Sequence, residues 1–220
     1  MDRRRVLTTL LASGAAAPLA FDALVREALA RDSRTGLRGF RGDVSVNGAP
    51  ANFHMEIRPG DTIRTGPGAE AIYVLGRDAF LQRGESHVAF GSGAAADLMR
   101  VITGKLLSVF DRGQKRIATP AATIGIRGTG CYIEAAEERT YFCLCYGEAE
   151  LARNSDPAQR EIVRTRHHDK PMWLSDKPGV DMMSAAGVIN HTDAELTLLE
   201  GLVGRKPPFA GIGWPPSTGY

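Results

Sequence analysis

From Val44 to Leu151 the apolar positions come in short runs, most at a spacing near two, and each run is closed by a turn signal. Ile72 and Val74 keep that spacing, as do Phe80, Val88 and Phe90, and Leu106 to Phe110 reads as the best-formed central strand. The breaks are Asn47-Gly48, Pro59-Gly60-Asp61, Gly66-Pro67-Gly68, Arg83-Gly84-Glu85 and Arg112-Gly113. Many brief strands with frequent turns predict a mostly β, antiparallel fold, sandwich or barrel-like. Ala94 to Val101 reads as a helical interlude.

The pattern changes after residue 152. Thr192-Asp193-Ala194-Glu195 forms a capping box ahead of Leu196, Leu198, Leu199, Leu202 and Val203, which predicts a helix near 193–203 ended by Gly204. The leucine stripe is expected to be a packed face. Pro207, Pro208, Pro215 and Pro216 exclude a helix or a central strand beyond it. Phe209 and Trp214 favour an arm laid over the core. Residues 153–220 are thus an extension with one helix and a Pro-rich arm.

Residues 1–30 read as an export signal. Arg3-Arg4-Arg5 precedes an apolar, small-residue run from Leu10 to Ala20, interrupted by Ser13, Gly14 and Pro18. The pair Arg3-Arg4 followed by Val6-Leu7 fits a twin-arginine signal, with a general secretory signal as the alternative. The run is short for a spanning helix of about 20 apolar residues, so no integral membrane domain is expected, and the product is placed in the periplasm. Ala28-Leu29-Ala30 offers a small-x-small cleavage site; retention as an anchor is the other outcome. The 220 residues carry 27 Lys+Arg and 25 Asp+Glu; without the first thirty the balance is 27−4 against 25−3, or +1. No basic stripe is present, which argues against a nucleic-acid partner.

The run Thr119-Pro120 through Ile124-Gly125-Ile126-Arg127-Gly128-Thr129-Gly130, the strand Cys131 to Glu134, and Tyr141 to Tyr146 before Gly147 stand in a family-like order. Pro59-Gly60-Asp61-Thr62-Ile63-Arg64-Thr65-Gly66 and the short strands from Ala69 to Leu81 precede them. Together they resemble the FecR (iron-dicitrate regulator) domain over roughly residues 40–152. The resemblance implies an exported, non-enzymatic β-domain for envelope binding or sensing, with an envelope protein, a polymer or a small, iron-linked ligand as partner. Regulators of that family carry a cytoplasmic anti-sigma region and a spanning helix ahead of this domain. With the arginine pair at the extreme N-terminus, that signalling role is not expected here. Arg127, Gly128 and Thr129 are expected to be structural, glycine supplying positive φ and the threonine hydroxyl capping the corner. Asp61 is expected to serve its turn.

Three cysteines and a histidine pair carry the candidate chemistry. Cys143 and Cys145 are two apart on one predicted strand and project to the same face. Cys131 lies on the other arm of the hairpin, and His167-His168 follow twenty residues on. Pairing Ala135 with Arg139 sets Cys131 across from Cys143; a slip of one residue sets it across from Leu144, the register the resemblance favours. Cys131, Cys143, Cys145, His167 and His168 are therefore candidate ligands for zinc, copper(I) or an iron–sulfur cluster, loaded before folded export. The competing readings are a cross-strand disulfide and small buried thiols filling a β core. A Cys/His nucleophile or redox thiol is the weakest reading, because no nucleophile elbow, P-loop or dinucleotide fingerprint accompanies it. His191 reads as a helix-start residue, and His54 and His87 as exposed positions without a chemical role.

Overall fold

The computed structural model describes Arg26, Ala28, residues 35–53 and residues 55–211. The leader, apart from Arg26 and Ala28, and also His54 and Trp214, lie outside the described residues. Among the described residues, fourteen strands join in one hydrogen-bonded sheet that does not close into a barrel. They are β1 (Gly36–Arg41), β2 (Val44–Val46), β3 (Ala49–Pro50), β4 (Thr62–Thr65), β5 (Glu70–Leu75), β6 (Asp78–Gln82) and β7 (Ser86–Phe90). After these come β8 (Leu98–Val109), β9 (Gln114–Ala118), β10 (Ala122–Ala135), β11 (Thr140–Arg153), β12 (Arg160–Thr165), β13 (Met172–Leu174) and β14 (Met183–Ala185). A C-terminal helix, α1 (Asp193–Leu202), follows them. All ladders are antiparallel except β8 with β9. The mostly β, sandwich-like expectation holds. The sheet runs from Gly36 to Ala185, beyond both ends of the 40–152 segment.

The long strands β10 and β11 belong to both layers of the sandwich. The first half of β10 pairs with β9 and the second half with β8. β11 pairs with β13 before Gly147 and with β12 from Gly147 onward. The switch falls at a bulge: Arg127 faces Glu148 and Gly130 faces Tyr146, so Gly128 and Thr129 oppose Gly147 alone. Gly128 takes φ 60° and Gly147 φ 101°, both in the left-handed region. A Cβ on Gly147 would meet Thr129 Cγ2 at 2.6 Å. The glycine requirement of the Arg127-Gly128-Thr129 corner is therefore confirmed, as a bend within a strand. The cap is not: Thr129 Oγ1 is buried without a hydrogen-bond partner. Asp61 does serve its turn, accepting from the Arg58 amide at 2.7 Å and from Asn47 Nδ2 at 2.7 Å.

Alternation along the central strands feeds two apolar clusters. Phe80, Leu106, Cys131, Ile133, Phe142 and Leu144 point inward with Val44, Ile63, Val88, Ile117 and Ile124 from both ends of the strand order. Their neighbours Leu81, Leu107, Tyr132, Tyr141, Cys143 and Cys145 point to the outer face, where Leu196, Leu198 and Leu199 of α1 cover them. The helix carries the expected capping box, Glu195 N donating to Thr192 Oγ1 and Thr192 N to Glu195 Oε2. Phe209 is buried against Tyr146, so the start of the Pro-rich segment is an arm over the core.

The helical interlude at Ala94–Val101 is corrected. Only a 3-10 turn over Gly93–Ala95 forms, and β8 begins at Leu98. Met99 and Val101 are buried while Arg100 and Ile102 face solvent, so period two overrides three alanines too few to nucleate a helix. His87, expected to be exposed, is half-buried in β7 beside Arg64.

Gly130→Ala tests the bend. Its Cβ would fall 2.5 Å from Cε1 of Tyr146, a ring held by Glu200 and Phe209, so repacking is blocked. We predict a loss of roughly 1–3 kcal/mol in denaturant unfolding. Gly187→Ala, with open space at its Cβ, should stay within about 0.5 kcal/mol.

Candidate metal centre

The register of the β10–β11 hairpin settles which thiols meet. Ala135 pairs with Thr140 and Ala136 N donates to Arg139 O, so Cys131 faces Leu144 and Tyr132 faces Cys143. Cys131 thus lies in the inner core while Cys143 and Cys145 lie on the outer face. A Cys131–Cys143 disulfide is excluded by that geometry, and the three cysteines are free. Of the five candidate ligands, Cys131 is the one the hairpin register sets apart; His167 is the other that stays out of the thiol cluster.

The histidine pair reaches the same outer face through a tight turn after β12. Asp169 accepts from the Arg166 and His167 amides, closing the turn, and the His168 amide donates to Cys145 O at 3.0 Å. His168 takes φ 51°. This left-handed conformation costs about 1–2 kcal/mol for most side chains and is borne best by Asn, Asp and His. It brings His168 Nδ1 to 3.4 Å from Cys143 Sγ. Asn190, with φ 54°, makes the matching bend before His191.

His191 is the residue that sequence reasoning missed. Its position just before the helix cap suggested a helix-start residue, yet it is 1% exposed and stacked on Tyr132 at 4.6 Å. Its Nε2 lies 3.1 Å from His168 Nδ1. Cys143, Cys145, His168 and His191 each offer a ligand atom, all within 4.8 Å of one another. Four atoms so spaced lie within about 3 Å of a common point, the radius of the sphere around a tetrahedron of that edge. A helix cap two residues from a histidine, near a Cys-x-Cys strand, was the available signal.

Hydrogen bonds aim both imidazoles. His191 Nδ1 sits 2.6 Å from Ile189 O, an acceptor only, so Nδ1 carries the proton and the Nε2 lone pair faces the cluster. His168 Nε2 sits 3.1 Å from Asp193 Oδ1, so in the neutral ring the Nδ1 lone pair faces the cluster. His167 does not reach the thiols; its Nε2 lies 2.9 Å from Asp193 Oδ2 and holds that carboxylate in place. Carboxylate-to-histidine and carbonyl-to-histidine bonds of this kind orient metal-ligating imidazoles.

The thiols are electrostatically unequal. The Cys145 thiol beside it, helped by His168 and His191, holds Cys143 well below the ordinary thiol range. Burial pushes Cys145 up, and the Cys143 thiolate pushes it further. Burial opposes charge on His168, but Asp193 and Cys143 outweigh it and lift the ring to about 9. Cys143 is thus biased toward thiolate and His168 toward imidazolium, and the proton between them occupies the position a metal ion takes when its ligands deprotonate.

No family model and no curated protein matches this chain. Two crystal structures of a "putative anti-sigma factor" from Parabacteroides distasonis are similar in outline, each at 12% identity over 57% of this chain. Their TM-scores are 0.48 and 0.47, and the match spans 60% of those chains. Likeness at this level does not extend to function.

Burial predicts inert thiols. A disulfide reagent should find no fast-reacting cysteine in the native protein and three in denaturant; one rapidly labelled thiol in the native state would contradict the enclosed geometry.

Proposed function

We propose that this chain is an exported, non-enzymatic β-domain that holds one zinc ion through Cys143, Cys145, His168 and His191. The observation that carries the reading is the convergence of two sulfurs and two oriented imidazole nitrogens in a buried place. Zinc bonds of about 2.3 Å to sulfur and 2.0–2.1 Å to nitrogen, at tetrahedral angles, set sulfur and nitrogen about 3.6 Å apart and two nitrogens about 3.3 Å apart. The distances here are 3.4 Å for Cys143 to His168 and 3.1 Å for His168 to His191. Tetrahedral S2N2 sets favour zinc. The space suits one ion, not a two-iron cluster whose ligand pairs sit on different metals.

Access supports binding over catalysis. Cys143, His168 and Asp193 have the order of a nucleophile, base and carboxylate, but Cys143 and Cys145 are 0% exposed. Four protein ligands leave no open position for substrate, which is the pattern of a structural rather than a catalytic ion. Export to the periplasm rests on the arginine-pair leader, and a ligand set enclosed by the fold fits loading before folded export. The resemblance to the FecR domain adds an envelope binding or sensing role.

Metal analysis of the purified protein should give one zinc per chain. Cys143→Ser and Cys145→Ser should abolish stoichiometric zinc, while Cys131→Ser should keep it. A metal-free parent protein after growth and refolding with zinc, or zinc loss in Cys131→Ser alone, would overturn the assignment.

A further inference from the structure

We infer that occupancy of this centre decides whether the C-terminal segment stays closed over the outer face of the sheet. The inference rests on the zinc-binding reading above. Among the described residues, every backbone–backbone hydrogen bond of residues 187–211 is internal to that stretch. The segment therefore has no ladder to the sheet. It is held by side chains: the leucines of α1, Arg83 on Glu195 and on Asn190 O, Asn190 on Glu134, Asp193 with His167 and His168, Tyr146 on Glu200, Tyr141 donating to Gly187 O at 2.9 Å, and Arg205 on Asp111 and Arg77 O.

His191 is the place where this segment meets the cysteine strand. Cys143 and Cys145 are fixed in β11 between β10 and β13. His168 is tied to β11 through its amide, but His191 enters the cluster only by its ring, stacked on Tyr132. With an ion bound, the bond from His191 would join this segment to the three ligands carried by the sheet side, Cys143, Cys145 and His168. Without one, two buried sulfurs and two imidazole nitrogens face one another across a space that nothing bridges. Burial of such groups without full pairing opposes closure.

Loss of the ion thus loosens the joint at residues 187–192 first, and α1 swings away with it. Leu81, Leu107, Tyr132 and Tyr141 are then uncovered. The inner core, built from the opposite face of the same strands, keeps its packing. Metal occupancy is read out as exposure of an apolar sheet face, a plain mechanism for a sensing domain.

Hydrogen exchange on the full chain tests this, comparing zinc-loaded protein, chelated protein verified as metal-free, and chelated protein with zinc restored. Amides in 194–203 should lose protection on the order of a hundredfold on chelation and regain it with zinc, while β8 and β10 stay protected. Unchanged protection of α1 in metal-free protein would overturn the inference and leave the zinc assignment standing. Equal loss across helix and sheet would also overturn it, making the ion a staple for the whole domain. Failure of the zinc assignment itself appears earlier, as protein that takes up no zinc at all. Arg83→Ala provides a second arm: with its ties to Glu195 and Asn190 O removed, α1 should open at a lower chelator concentration, and an unshifted response would count against a hinge at this segment.

Discussion

The paired bend of β10 and β11 is the constraint on which the rest of this molecule depends. Gly128 and Gly147 adopt left-handed backbone opposite each other, and the bulge between them lets one pair of strands serve two layers. The same bulge and the turn at residues 136–139 fix the hairpin register. Since side chains alternate, that register alone decides that Cys143 and Cys145 look outward and Cys131 inward. A slip of one residue would bury the cysteine pair in the inner core, out of reach of any histidine.

Given that register, the chemistry follows from two further bends, at His168 and Asn190. Each puts a non-glycine residue at positive φ, and each delivers an imidazole to the same place. Asp193 then has a double role. It opens α1 and, held by His167, accepts from His168 so that Nδ1 points at the thiols. Folding energy is spent here on geometry that packing alone does not call for, since apolar side chains would fill the same volume without left-handed backbone or buried charge.

The mostly β architecture was legible because alternation and turn residues are local signals. So was the helix at Asp193–Leu202, since a capping box is written in four consecutive residues. The interlude at Ala94–Val101 misled because alanine favours helix locally, whereas Met99 and Val101 obey the sheet they enter. Cys143, Cys145 and His168 were recognised as candidates by type and spacing. Cys131 and His191 were misjudged for a common reason: their roles depend on which element faces which. A hairpin register with no glycine in its turn, and a helix start docked on a strand some fifty residues away, are tertiary facts. The hydroxyl of Thr129 was misread in the same way: it lies buried at the bulge without a hydrogen-bond partner.

The central claim is that one ion sits among two sulfurs and two nitrogens. X-ray absorption at the zinc edge of the loaded protein measures this directly. The account predicts a four-coordinate first shell with two sulfurs near 2.3 Å and two nitrogens near 2.0 Å, with imidazole scattering beyond it. A shell of oxygen and nitrogen alone, or one containing three sulfurs, would contradict it.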